Sequence, residues 1–174
     1  MTDDELYHKL LLKAGAYTAR AEHSPKEVEA KLYTWGGEDL SPALATRILA
    51  ELEREGYVDA RRYAEKYTRD KALFLHKGPK LIRRELFMKG ITDKSMISDA
   101  LSTIDDEEWS EALKTYLSPK VSRYRSKAKD TRDLSSRLYR AAYARGYEDR
   151  QIRAYLREAD LGEAEDFGDG DDWD

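Results

Sequence analysis

Apolar residues recur at steps of three and four from the start of the chain. Leu6, Leu10, Ala14, Tyr17 and Ala21 place one apolar stripe on a first helix. Asp3, Asp4 and Glu5 precede it, where carboxylates suit the positive end of the helix dipole. Ser24-Pro25-Lys26-Glu27 then supplies a second start: a serine N-cap, proline in the first turn and a glutamate spaced for a capping box. This helix is expected to stop at Gly36-Gly37. Ser41-Pro42 opens a third, with Leu44, Ile48 and Leu52 inward and Gly56 as its stop.

The pattern continues beyond Asp59. Tyr63, Ala64, Tyr67 and Phe74 line the next helix, and Gly78-Pro79 restarts the chain. Ile82 and Leu86 mark the helix that follows, and from Asp93 onward Met96, Ile97, Ala100, Leu101 and Ile104 form another stripe. Trp109, Ala112, Leu113 and Tyr116 begin a further helix. Proline tolerates a first turn and disrupts a helix interior, so Ser118-Pro119 either kinks one long helix or separates two. Leu138, Ala142 and Tyr143 mark the next helix, and Ile152, Tyr155 and Leu156 the last.

Gly36, Gly90 and Gly146 stand 54 and 56 residues apart and tie these stripes into a repeat. Eight positions before them lie Val28, Ile82 and Leu138; four positions before lie Leu32, Leu86 and Ala142. Pro25 and Pro79 share a third register, where the last copy has Ser135. A period near 55 leaves room for three helices per unit. The expected architecture is all-α, with three-helix repeats over residues 1–58, 59–105 and 106–157. A lone unit of ~50 residues is marginal, and stacked units can bury one another's apolar faces in an elongated array. After Arg157 the periodicity fails, and residues 158–174 are expected to form a disordered acidic tail.

Composition agrees with helix: of 174 residues only 10 are glycine and 4 proline, while 38% are charged and 40% hydrophobic. No cysteine is present, which excludes disulfides and thiol catalysis. No apolar run approaches the ~18 residues of a membrane span, and the N-terminus lacks a secretory signal, so a reducing cytoplasm is expected. His8, His23 and His76 are solitary, and Lys77-Gly78-Pro79-Lys80 lacks the spacing of a phosphate-binding loop. No catalytic residue, metal site or cofactor is expected.

The net charge of −4 conceals an asymmetry. Residues 158–174 carry nine acids and no base, whereas residues 110–157 carry 13 bases against 5 acids. Arg123, Arg125, Lys127 and Arg132 lie close together in the chain, with Lys120 and Lys129 among them, and Arg137, Arg140 and Arg145 follow. Arg123, Arg125, Lys127, Arg132, Arg137, Arg140 and Arg145 are the candidate contacts to a polyanion, and Lys80, Arg83 and Arg84 form a second candidate patch. A solvated helical face is the alternative use of the same charges. Most of the twelve tyrosines fall on apolar stripes, which favours packing over base stacking; Tyr124, among arginines, is the exception. The tail reads as a solubilising end, as a shield over the basic region, or as a docking peptide through Phe167 and Trp173.

Residues 56–91, GYVDARRYAEKYTRDKALFLHKGPKLIRRELFMKGI, resemble the RecX family of bacterial regulators of the RecA recombinase. The resemblance rests on Asp59, Arg62-Tyr63-Ala64, Lys77-Gly78-Pro79, Ile82-Arg83-Arg84-Glu85-Leu86 and Lys89-Gly90-Ile91. Ala144-Arg145-Gly146-Tyr147 is similar to the family's Arg-Arg-Gly-aromatic signature, with Ala144 in place of its first arginine. The resemblance implies a curved array of three-helix units. It also implies binding in the groove of the RecA–DNA filament, restraint of recombinase, ATPase and coprotease activity, and contact with single- and double-stranded DNA through phosphates. A monomer acting in DNA repair and the SOS response is expected. Two other readings fit the residues alone: an autonomous helical DNA-binding protein, and a helical scaffold for an acidic protein partner.

Overall fold

A computed structural model of the protein describes residues 1–162, and every regular element within them is helical. The helices are α1 (Asp3–Arg20), α2 (Pro25–Gly36), α3 (Pro42–Arg54), α4 (Ala60–Leu73), α5 (Pro79–Met88), α6 (Lys94–Leu101), α7 (Asp106–Arg125), α8 (Thr131–Ala144) and α9 (Asp149–Glu158). A short 3-10 turn, Gly37–Asp39, follows α2. The all-α expectation holds over these residues.

Most of the expected helix starts are where the polar residues place them. Ser24 accepts from the Glu27 amide at 3.2 Å and Ser41 from Leu44 at 3.2 Å, each with proline in the first turn. The reciprocal half of the capping box expected at Glu27 is not made. Its carboxylate is drawn instead to His23 Nδ1 at 3.1 Å, the Tyr63 hydroxyl at 3.1 Å and Lys89 Nζ at 3.6 Å. Full capping boxes form at Thr2–Glu5 and Asp105–Glu108. Pro119 lies inside α7, which continues through it, so the Ser118-Pro119 step does not divide the chain.

The chain forms two compact units. The first comprises residues 1–68 and 84–103. Leu10 and Ala14 of α1, Val28 and Leu32 of α2, and Ile48 of α3 are fully buried in its core, and Leu52 and Val58 close it. Burying each large aliphatic side chain contributes roughly 1.5–3 kcal/mol relative to leaving it in water. At the end of α5 the chain turns at Gly90 with φ +89°, and a Cβ there would lie 2.8 Å from Lys26 Cβ at the start of α2. Lys26 Nζ also donates to the Met88 carbonyl at 3.2 Å.

The second unit comprises residues 69–83 together with everything from Ile104 on, described to Gly162. Trp109, Leu113 and Leu117 of α7 pack with Leu134, Leu138 and Ala142 of α8 and with Ile152 and Leu156 of α9. Tyr147 is fully buried, edge-on to Trp109 with ring centroids 6.5 Å apart. Phe74, expected on an inward stripe, is 75% exposed because α4 ends one residue before it. Packing also extends past Arg157: the Leu161 amide donates to Leu156 at 3.0 Å and its side chain is buried. The remainder of the acidic tail expected from the sequence, residues 163–174, lies outside the described residues.

Candidate nucleic-acid and filament interface

Nine of the ten candidate residues belong to the second unit; Arg84 falls in the first. Their surroundings sort them into three groups. Arg83, Arg125, Lys127 and Arg132 are exposed, and no carboxylate among the described residues lies within ion-pair distance of them. Arg123 is exposed and held over the ring of its neighbour Tyr124, 5.1 Å from the centroid. Arg84 and Arg140 are exposed and make further contacts within the protein.

The other three are engaged by their own fold. Arg137 Nε donates to Asp133 Oδ2 at 3.3 Å, one turn away on α8. Lys80 Nζ sits 5.2 Å from the centre of the Tyr143 ring, a cation–π distance. Arg145 is the most committed. Its guanidinium donates to the carbonyls of Leu75 and His76 and packs over Tyr116 at 5.1 Å.

Among the described residues, local hydrogen bonding leaves Arg125, Lys127 and Arg132 without a carboxylate partner. Asp130 caps α8 by accepting from the Asp133 amide at 2.8 Å. Asp133 accepts from the Lys129 amide at 3.0 Å and from Arg137. That backbone hydrogen bond, helped by Arg137, holds the Asp133 carboxyl below the usual range and keeps it ionised. Asp130 within the segment and Asp133 just after it are thus both used at the start of α8, and Arg125, Lys127 and Arg132 are exposed. Arg123 and Arg125 also occupy the last turn of α7, where cations favour the negative end of the dipole.

Tertiary structure brings Lys80 to α8, a relation that spacing in the chain does not show. The Gly78 amide donates to the Arg145 carbonyl at 2.9 Å, and the Lys80 amide to the Gly146 carbonyl at 2.9 Å. The Tyr147 hydroxyl donates to His76 at 2.9 Å. Lys80 therefore stands beside Tyr143, one turn from Arg140. Tyr116, on the apolar stripe that begins α7, carries a further feature: Lys120 lies 4.9 Å from its ring centroid and Arg145 5.1 Å. The Tyr116–Lys120 spacing of four was the available signal.

A chain of helices that leaves Arg83, Arg125, Lys127 and Arg132 exposed, with no carboxylate partner among the described residues, has the makings of an all-helical binding protein. Comparison with known proteins narrows that class. The family profile for RecX, second three-helix domain, matches residues 59–101. A regulatory protein RecX of Clostridium botulinum (strain Eklund 17B / Type B) is 31% identical over 134 residues, covering 77% of this chain and 60% of that protein. A second, from Oceanobacillus iheyensis, is 37% identical over 84 residues, covering 48% of this chain and 29% of that protein. The chain thus spans less than two thirds of the length of these curated relatives. The crystal structure of RecX from Lactobacillus salivarius has a TM-score of 0.81 at 26% identity, covering 91% of this chain and 99% of that one. The chain belongs to the RecX family of regulatory proteins.

Proposed function

We propose that this protein binds the RecA–DNA nucleoprotein filament and restrains its recombinase, ATPase and coprotease activities, in the bacterial cytoplasm during DNA repair and the SOS response. Membership of a family of regulators supports this reading, and Arg125, Lys127 and Arg132, which have no carboxylate partner among the described residues, carry it at the level of residues. A filament presents regularly spaced phosphates beside protein surface. Exposed arginines and lysines without internal partners are suited to phosphates, because no ion pair has to be broken first. Arg123, with Arg83 and Arg84 on α5, extends the proposed contact set. Lys80, Arg137, Arg140 and Arg145 shape the supporting face in addition to any contact they make.

Contact of this kind reads phosphate position rather than base identity, so single- and double-stranded DNA are both expected to bind. The protein acts by occupancy, as a monomer, and the proposal includes no catalytic step. Among the described residues no helix is long and apolar enough to cross a membrane.

The test is recombinase ATPase on single-stranded DNA, titrated with this protein and with a variant carrying Arg125→Glu, Lys127→Glu and Arg132→Glu. The wild-type protein should suppress hydrolysis and the variant should not, at equal helicity. Equal suppression by both would remove the 123–132 surface from the proposal. No suppression by the wild-type protein, with tight sequence-selective binding to duplex DNA instead, would favour an autonomous DNA-binding protein.

A further inference from the structure

The first unit carries its own set of cations, arranged around aromatic rings. Lys9, Lys13, Tyr17 and Arg20 follow one another at steps of four, four and three, so they share one side of α1. Lys9, Lys13 and Arg20 are exposed, as is Lys31 on α2, and no carboxylate among the described residues lies within ion-pair distance of any of the four. Acids close by in the chain are engaged elsewhere. Glu5 accepts from the Thr2 amide at 2.8 Å, Glu22 from Arg62 at 2.7 Å, and Glu27 meets His23, Tyr63 and Lys89.

The rings among these cations are held by the fold. Tyr17 stacks on His23 with centroids 4.0 Å apart and meets Trp35 edge-on at 5.6 Å, and both Tyr17 and Trp35 pack against the buried core. Lys13 Nζ lies 4.8 Å from the centroid of the Trp35 ring, and Lys31 Nζ 5.8 Å from that of Tyr17. An exposed ammonium over a half-buried ring marks a face of the ring that opens to solvent once the lysine swings away. Trp35 is thus an indole fixed by Tyr17 and the core, with a displaceable lysine over its ring.

We propose that this face of α1 and α2 is a binding site for single-stranded nucleic acid, in which a base stacks on Trp35 while Lys9, Lys13, Arg20 and Lys31 take the flanking phosphates. Base–aromatic stacking is stronger than an exposed cation–π contact, so a base displaces Lys13 from the ring and frees its charge for phosphate. The four cations set the sign of the ligand. The indole sets its chemistry: a flat ring beside each negative charge, which a strand with unstacked bases offers and a duplex keeps inside. The site therefore selects single strands, unlike the phosphate contacts proposed for the second unit, and it does not depend on that second surface binding DNA.

The experiment uses the full chain, wild type and Trp35→Leu, with two ligands of equal length and charge: oligo(dT) and an oligodeoxyribonucleotide made of abasic sites. Leucine keeps the packing against the core apolar, and circular dichroism checks that helicity is equal. Fluorescence anisotropy should show wild type preferring oligo(dT) to the abasic strand about tenfold, and Trp35→Leu binding the two equally. Replacing Lys9, Lys13 and Lys31 together by glutamine should weaken both ligands. Repeating the measurement with Arg125→Glu, Lys127→Glu and Arg132→Glu separates this site from the second-unit surface, because the preference for bases should survive those changes. Its loss with them, or equal affinity of the wild-type chain for the two strands, would overturn the proposal and leave the second surface in place. Tighter competition by poly-glutamate than by oligo(dT) would assign the face to an acidic protein segment and overturn it too. Should Trp35→Leu fail to fold, the Trp35 indole N–H resonance of the wild-type chain decides. Oligo(dT) should shift it and the abasic strand should leave it in place; no shift with either would overturn the stacking.

Discussion

Gly78 and Gly146 meet backbone to backbone: a Cβ on Gly78 would lie 2.2 Å from the Gly146 carbonyl carbon. A Cβ on Gly146 would lie 2.4 Å from Leu81 Cβ, and Gly146 holds φ +97°. The Lys-Gly-Pro and Arg-Gly-Tyr motifs, 68 residues apart when measured between these glycines, are thus two halves of one contact. The turn ending α8 sits on the start of α5. Within the first unit, the turn ending α5 sits at Gly90 on the start of α2 through Lys26. Two of the three glycines that mark the repeat period, Gly90 and Gly146, are where one helix end approaches another helix start too closely for a side chain; at Gly36 a Cβ would instead meet Leu40 Cβ at 2.6 Å.

Gly78→Ala is expected to destabilise the protein by about 1–3 kcal/mol, because the obstacle is backbone, which cannot swing aside as a side-chain tip can. Gly15→Ala provides the contrast. Gly15 lies within α1 and a Cβ there meets nothing within 4 Å, so alanine should stabilise by about 0.5–1 kcal/mol through helix propensity. Chemical denaturation of both variants checks the pair.

Arg145 should behave as a structural residue. Arg145→Ala frees the Leu75 and His76 carbonyls and exposes one face of Tyr116, at an expected cost of about 1–3 kcal/mol. Arg125→Ala should change stability by less than about 0.5 kcal/mol, since this exposed side chain has no carboxylate partner among the described residues. Denaturation midpoints measured beside DNA affinity separate the roles. Arg125→Ala should weaken binding without moving the midpoint.

The salt dependence of single-strand binding reports how many phosphates are engaged. Neutralising Arg125, Lys127 and Arg132 together should reduce the slope of log affinity against log salt by about 2, at roughly 0.7 per lost contact. Affinity measured from low to moderate salt gives the slope directly. An unchanged slope would mean that these three side chains meet no phosphate.

Glu27 gives the fold an acid-sensitive point. Its partial burial alone would raise the carboxyl pKa, but hydrogen bonds from His23 and Tyr63 and the charge of Lys89 outweigh that, and the net shift is downward. A carboxylate depressed on folding contributes stability above its unfolded value of about 4.3, and that contribution is lost as pH falls through the folded value. Glu27→Gln should therefore be less stable than wild type at neutral pH, with the gap closing in acid. Urea denaturation at pH 7 and at pH 3 tests this.

Much of the fold is legible in the chain itself, because helix starts and stops are local chemistry. Ser24-Pro25, Ser41-Pro42 and Asp105 begin helices where their side chains reach the first free amides, and a one-in-four spacing of leucines selects the buried face. The repeat period and the likeness to RecX are also properties of order along the chain. Even there, local rules gave way where distant groups competed. Glu27 has capping-box spacing, yet Tyr63 and Lys89 arrive from 36 and 62 residues away and take its carboxylate. Leu161 follows the last periodic stripe and is buried because Ser135 offers its carbonyl a buried donor.

The candidate surface divides along the same line. Residue type and density marked the basic stretch, since charge is carried by composition. Which cations face outward was decided by tertiary contacts. Arg145 is drawn in by two carbonyls some 70 residues earlier in the chain, and Lys80 is placed on Tyr143 by the Gly78–Arg145 hydrogen bond. The sequence by itself determined the helices, their repeat and the sign of the charge, because these follow from neighbours a few residues apart. Only the tertiary structure decided which of those charges are left without a partner, because a partner can come from anywhere in the chain.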